Sequence, residues 1–208
     1  MQKSKIGILD LNAGNIFSVY KVFKQINYNT EVINNYINSN SFSHIVVPGV
    51  ASFGSAIKTL KDKKFDILIN EFLSKGKPIL GLCVGCQILF RSSSEFGKHY
   101  GLKLIDGKVE KLPHKKYKSV KLPNVGWFKI NFDRENSLFK FIEKKDYFYF
   151  THSFHCIPKK KENILATYKF HDDEIVAAVI KDNIIGLQFH PEMSSFAGKK
   201  VLNNFLNK

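Results

Sequence analysis

The chain is 208 residues long, enough for one domain with a substantial core, and its 44% hydrophobic and 24% charged content is that of a soluble globular protein. No apolar run approaches the roughly 20 residues that span a bilayer, so no membrane role is expected. The net charge of +14 invites a nucleic-acid reading, yet only Arg91 and Arg134 of the 32 basic residues are Arg, and the guanidinium forks that read bases and phosphates are nearly missing. A Lys-rich solvated surface with no nucleic-acid partner is the expectation. Three Cys, an odd and low count, argue for reduced thiols and a cytoplasmic setting, and the first apolar run is broken by Gly7 and Asp10, unlike a signal peptide.

In chain order, residues 5–11 read as a strand, 12–15 as a turn, and 16–25 as a helix with Val19, Val22 and Phe23 on one face. Strands follow at 30–33 and 44–47, with a polar loop over 34–41 between them. Helices follow at 52–60 and 65–73, and a strand at 78–82. Strands alternating with helices predict a mostly parallel sheet covered on both faces, whose ligands sit at the carboxyl ends of the strands. Segments 10–15 and 48–54 and the residue Cys83 all fall there. The second half reads differently. Residues 103–112, 127–132, 147–154, 164–170, 175–180 and 184–189 are each expected as a strand. Residues 137–142 are a short helical candidate, 113–124 a Lys-rich loop, and 199–207 a closing helix. With no internal repeat or linker, this β-rich half is expected to extend the same sheet in one α/β domain covering 1–208.

Chemistry enters at Gly81-Leu-Cys83-Val-Gly85-Cys-Gln87. A buried strand turns sharply into an expected helix through residue 90, with glycines on both sides of a thiol, the layout of a nucleophile elbow. The helix N-terminus behind Cys83 is expected to favour its thiolate. Cys83 and Cys86 also form Cys-x-x-Cys, the spacing of a redox pair or half a zinc site. No second such pair exists and Cys156 stands alone, so neither a metal nor another cofactor is expected and Cys86 is read as a packed apolar thiol. Among seven His, His190 ends an apolar strand and precedes Pro191 and Glu192. Pro191 biases His190 to an extended backbone, in which Glu192 at i+2 points the same way and reaches the imidazole. The loop 48–54 (PGVASFG) follows a strand and opens a helix. An amide of Gly49 or Val50, with that of Val84, would form an oxyanion hole; a phosphate cradle is the other reading, weakened because no Lys-Ser/Thr completes a P-loop.

The motifs PGVASFG, GLCVGCQ, YFYFTHSF and GLQFHPEMS, in this order, resemble those of the class I (triad) glutamine amidotransferases across essentially the whole chain. With DLNAGNIFS and PNVGW the resemblance is nearest to the glutaminase subunits of imidazole glycerol phosphate synthases. It implies Cys83 as nucleophile, His190 as general base and acid, and Glu192 as the carboxylate orienting it. It implies Gln87, Ser153 and Ala51 at the glutamine site, and Asn12, Asn15, Trp127 and Tyr149 on the face toward a (β/α)8-barrel synthase subunit. The activity so implied is hydrolysis of L-glutamine through a Cys thioester. The ammonia would pass to the barrel partner, which makes imidazole glycerol phosphate and AICAR in histidine biosynthesis. Within the family, glutaminase turnover rises when the synthase binds its nucleotide-like substrate. Ala51 replaces a usual Gly, and PNVGWF replaces Pro-His-x-Gly-Trp-Asn. These departures leave open a paralogue that feeds amidation of a nucleotide-linked surface sugar. A non-catalytic binding paralogue is disfavoured because all three triad residues are present.

Overall fold

The computed structural model describes residues 5–12, 15–26, 29–117, 120–133 and 135–208. Ala13 and Gly14 of the expected turn, Lys118 and Ser119 of the Lys-rich loop, and Arg134 lie outside the described residues. The first half follows its hydrophobic periodicity closely. It contains β1 (Lys5–Leu9), α1 (Ile16–Gln25), β2 (Asn29–Ile33), β3 (His44–Val47), α2 (Phe53–Asp62), α3 (Phe65–Ser74) and β4 (Ile79–Leu82). The one-turn helix α4 (Val84–Gln87) comes next. Ser52 begins α2 as its N-cap, its hydroxyl accepting the Ser55 amide at 3.5 Å. The second half contains β5 (Ser92–Ser93), β6 (His99–Tyr100), β7 (Gly107–Lys111), β8 (Asn124–Phe128), β9 (Ile130–Phe132), β10 (Phe148–His152) and β11 (Phe154–Pro158). It closes with β12 (Ile164–Phe170), β13 (Asp173–Lys181), β14 (Ile184–Leu187) and α5 (Ser195–Leu206).

The main sheet has eight strands in the order β2-β1-β3-β4-β14-β13-β12-β9. Pairings from β2 through β14 are parallel, and those from β14 to β9 are antiparallel. Both faces are covered. In β3, Val46 joins a core with α1 and α5 (Val19, Phe23, Phe205), while Ile45 and Val47 join a core with α2 and α3 (Leu60, Phe65, Phe72). That two-sided burial is why the parallel strands are continuously apolar rather than alternating.

Three expectations need correction. The β-rich half does not simply extend the sheet, because β10 and β8 form a separate two-stranded ribbon and β11-β7-β5-β6 a four-stranded sheet. Runs 127–132 and 147–154 are each broken, at Lys129 and at Ser153, and their two pieces enter different sheets. The helix after Cys83 stops after one turn instead of reaching residue 90. There the Leu89 and Phe90 amides donate to the Cys86 and Gln87 carbonyls at 3.2 and 3.1 Å, so the chain tightens to i→i−3 bonds before the returning segment 102–105 pairs with the carbonyls of residues 88–90.

The parallel order sets the site. The carboxyl ends of β3, β4 and β14 lie side by side, Val47 pairing with Gly81 and Gly186 with Gly81. The loop at 48–52, the thiol of Cys83 and the segment 188–192 therefore leave the sheet on one edge.

Candidate active site

Cys83 occupies the turn between β4 and α4 with φ 51° and ψ −108°, a strained backbone for a residue with a Cβ. The surroundings hold it there. Its amide donates to Leu187 O at 2.7 Å, and its carbonyl accepts from Cys86 and Gln87 at 3.0 and 3.1 Å. Gly85 lets α4 lie directly on β3, since a Cβ there would sit 1.7 Å from Val47 O. The thiol is thus presented at a strand end by backbone bonds on both sides.

His190 is buried one strand over, with φ −99° and ψ 93°, the extended backbone imposed by Pro191. Its amide donates to Tyr149 O at 2.8 Å, and its carbonyl accepts the Ser194 hydroxyl at 2.6 Å. Nδ1 meets Glu192 Oε1 at 2.8 Å. Glu192 arrives through a 3-10 turn over Pro191–Met193, not along an extended strand, so the i+2 contact is right and its route differs. Asn15 donates from Nδ2 to the same Oε1 at 3.1 Å. The far nitrogen, Nε2, is buried without a hydrogen-bond partner in the described structure. Burial works against charge on this ring. The interactions with Cys83, and after them those with Glu192, outweigh it and raise the His190 pKa to about 10.

The Val84 amide does not point into open space. It donates to Gly49 O at 3.3 Å, so the expected oxyanion donor is capped by the carbonyl of the loop expected to help it. Swapping that carbonyl for the Val50 N–H requires rotation of the Gly49–Val50 peptide.

Beside the thiol is a cavity of about 240 Å³ whose lining includes Val50, Ala51, Cys83, Gln87, Glu95 and Ser153. The structure thus brings Ala51, Gln87 and Ser153 together around the Cys83 thiol. Gln87 is anchored, with Nε2 donating to Phe154 O at 2.9 Å and to Gln188 Oε1 at 3.1 Å. Trp127 is half-exposed and packs edge-on against Tyr149, 5.6 Å between centroids, while Tyr149 lies 6.3 Å from the His190 ring. Asn12 stands apart on the loop after β1, its side chain accepting from Lys63 Nζ at 2.7 Å. Among the described residues no cluster suited to a metal ion occurs. Sequence reasoning missed two polar residues here. Glu95 lies in an unpatterned loop, where no periodicity could flag it. Gln188 had a signal, a lone polar side chain in the apolar run 184–189, and its Nε2 lies 3.7 Å from Cys83 Sγ.

A family model described as glutamine amidotransferase class-I matches residues 8–208. The chain is 40% identical over 202 residues, 96% of each chain, to the imidazole glycerol phosphate synthase subunit HisH of Sulfurimonas denitrificans. It is 35% identical over 198 residues, 95% of this chain and 97% of the other, to the same subunit of Chlorobaculum tepidum. Among solved structures, the fold is similar to a chain in the structure of PurLQS from Thermotoga maritima, with TM-score 0.78 and 19% identity over 99% of each chain.

Proposed function

Because the chain belongs to the class I glutamine amidotransferases, we propose that it is the glutaminase subunit of an imidazole glycerol phosphate synthase, acting in histidine biosynthesis in the cytoplasm as one catalytic domain. The observation that carries the reading is the strained Cys83 elbow beside a His190 held charged, with Glu192 2.8 Å away on the other side of that ring. In the first half-reaction the Cys83 thiolate attacks the side-chain carboxamide carbon of L-glutamine. His190 gives its proton to the leaving nitrogen, ammonia departs, and a thioester remains. Neutral His190 then takes a proton from water as the hydroxide adds to the thioester. The C–S bond breaks, and glutamate leaves with the thiolate and imidazolium restored. Glu192 holds the ring's tautomer through Nδ1 and stabilises the imidazolium.

Substrate orientation follows from the cavity lining. Glu95 is its one carboxylate among the described residues and suits the α-ammonium of glutamine. Gln87 spends both Nε2 hydrogens on the protein, which leaves it only an acceptor, Oε1, for substrate. The tetrahedral oxyanion has no donor pair until the Gly49–Val50 peptide turns and frees the Val84 amide. A (β/α)8-barrel partner docked over Trp127 and Tyr149 both receives the ammonia and supplies a trigger for that turn. Ammonia released to water is protonated and lost as a nucleophile, so the two sites need a shared dry passage.

The experiment pairs Cys83→Ala with co-purified barrel synthase. Loss of glutamine-dependent synthesis, with free ammonium still supporting the partner's ring closure, is expected. Retained glutamine use by the variant, or stimulation only by a sugar-amidating partner, would overturn the reading.

A further inference from the structure

The hydrogen bonds around Gln87 fix the direction of a polar chain that ends on the nucleophile. Phe154 O is a backbone carbonyl and can only accept, so the Gln87 atom 2.9 Å away is the amide nitrogen. That same nitrogen lies 3.1 Å from the Gln188 side chain, which must therefore turn its oxygen toward Gln87. The remaining Gln188 atom, Nε2, is left facing Cys83 Sγ at 3.7 Å as a donor. Flipping Gln188 would set two NH2 groups against each other and aim a carbonyl at the sulfur. Flipping Gln87 would aim two carbonyl oxygens at each other. Neither alternative is open in a buried site, and both side chains are buried.

The acceptor at the head of the chain is itself pinned. His152 Nδ1 donates to Phe154 O at 2.8 Å, which leaves Nε2 as the acceptor of the Tyr168 hydroxyl at 3.0 Å, and Tyr168 Oη accepts from Asn124 Nδ2 at 3.1 Å. This assignment requires a neutral His152, and burial holds its pKa down at about 3. All the members are uncharged, and every bond runs in one determined direction.

We propose that Gln188 positions and stabilises the Cys83 thiolate through a donated N–H···S⁻ bond whose polarity is set by Gln87 and the Phe154 carbonyl. A fixed amide donor prefers the thiolate, a strong acceptor, to the thiol, a weak one. Unlike the His190 imidazolium, which must give up its proton when ammonia leaves, this donor keeps its proton throughout. Gln188 thus favours sulfur as attacking anion and again as leaving group. The inference rests on Cys83 being the nucleophile.

The test is the pH dependence of Cys83 alkylation by iodoacetamide, with the adduct located by peptide mass, alongside glutaminase kinetics of the partner complex. Gln188→Met, similar in volume but without the donor, should move the alkylation midpoint to higher pH. At neutral pH it should slow alkylation roughly tenfold, the scale of one hydrogen bond to a charged group, with kcat reduced comparably and KM within about twofold. Gln188→Glu, which puts an acceptor in the donor's place, should move the midpoint further the same way. Thermal melting separates folded variants from misfolded ones. If Met misfolds, the Glu variant decides alone, and Gln87→Met supplies an independent arm because it frees Gln188 to flip and should reproduce part of the shift. An unchanged alkylation profile in folded Gln188 variants overturns the proposal whatever happens to kcat. A Cys83→Ala control keeps the two readings apart: glutamine hydrolysis surviving in it would mean the nucleophile is wrong, independent of Gln188.

Discussion

Replacing Glu192 with Gln removes a charge while keeping the shape, and the structure gives the size of the effect. The pair is buried, with 3% and 1% of the His190 and Glu192 side chains exposed, so solvent screens it little. Nδ1 and Oε1 are 2.8 Å apart. Placing the charge centres about 4 Å apart, at an effective dielectric of about 20, gives roughly 4 kcal/mol. At 1.36 kcal/mol per unit that is about 3 pKa units. The His190 pKa, about 10 in the native protein, should therefore fall to about 7 in the variant. Gln still offers an oxygen to Asn15 Nδ2, so melting should change by only a few degrees. The measurement is glutamate release by the partner complex against pH. The basic limb should move down by about 3 units, and activity at pH 8, where the imidazolium fraction falls from nearly whole to about a tenth, should drop roughly tenfold. A basic limb that stays in place, with activity within threefold of the native value, would refute Glu192 as a group that, with Cys83, holds His190 charged.

The remaining expectations concern the elbow, the pocket and acid stability. Gly85→Ala drives a methyl against Val47 O, 1.7 Å from the ideal Cβ, so α4 must lift off β3. Destabilisation of roughly 3 kcal/mol or more in urea unfolding, with glutaminase activity lost, is expected, and a fully active, stable variant would contradict the packing described. Glu95→Gln should raise KM for glutamine roughly tenfold or more while kcat holds within about threefold, as one charge-assisted contact is lost. A raised kcat/KM, or an effect on kcat alone, would remove Glu95 from substrate binding. Burial lowers the pKa values of His44 and His155 to about 4 and that of His152 to about 3. The unfolded chain binds these protons near 6.5 and the folded chain does not, so their contribution is whole above about 6.5 and declines as pH falls toward 4 and 3. Urea midpoints should drop steadily across that window, and a flat profile from 7 to 4 would count against the burial of these rings.

Helix and parallel-strand positions were legible because each is set by a local period and by burial on both faces. The strand at 44–47 and the helix at 16–25 coincide with expectation for this reason. The breaks at Lys129 and Ser153 were not legible. Apolar residues continue across both points, and only the identity of the pairing strand differs on the two sides. The early end of α4 was hidden for a similar reason, since the segment 102–105 that pairs with the carbonyls just beyond it is distant in sequence. At the site, Cys83, His190 and Glu192 stood out in the sequence because each sits at a patterned strand end, whereas the charged Glu95 in an unpatterned loop did not. Orientation did not, so neither the rotated Gly49 carbonyl on Val84 nor the polarity of Gln87 and Gln188 was visible there.

The bridge between Tyr149 and His190 ties the two-stranded ribbon to the base, and Trp127 pairs with Tyr149 across that ribbon. An exposed indole is therefore linked through one residue, Tyr149, to the backbone of His190. Under the proposed function, a substitution at Trp127 that alters docking is expected also to shift His190, because the two are joined through Tyr149. Affinity and turnover should covary along this edge, so the surface evolves under the constraints of an interior.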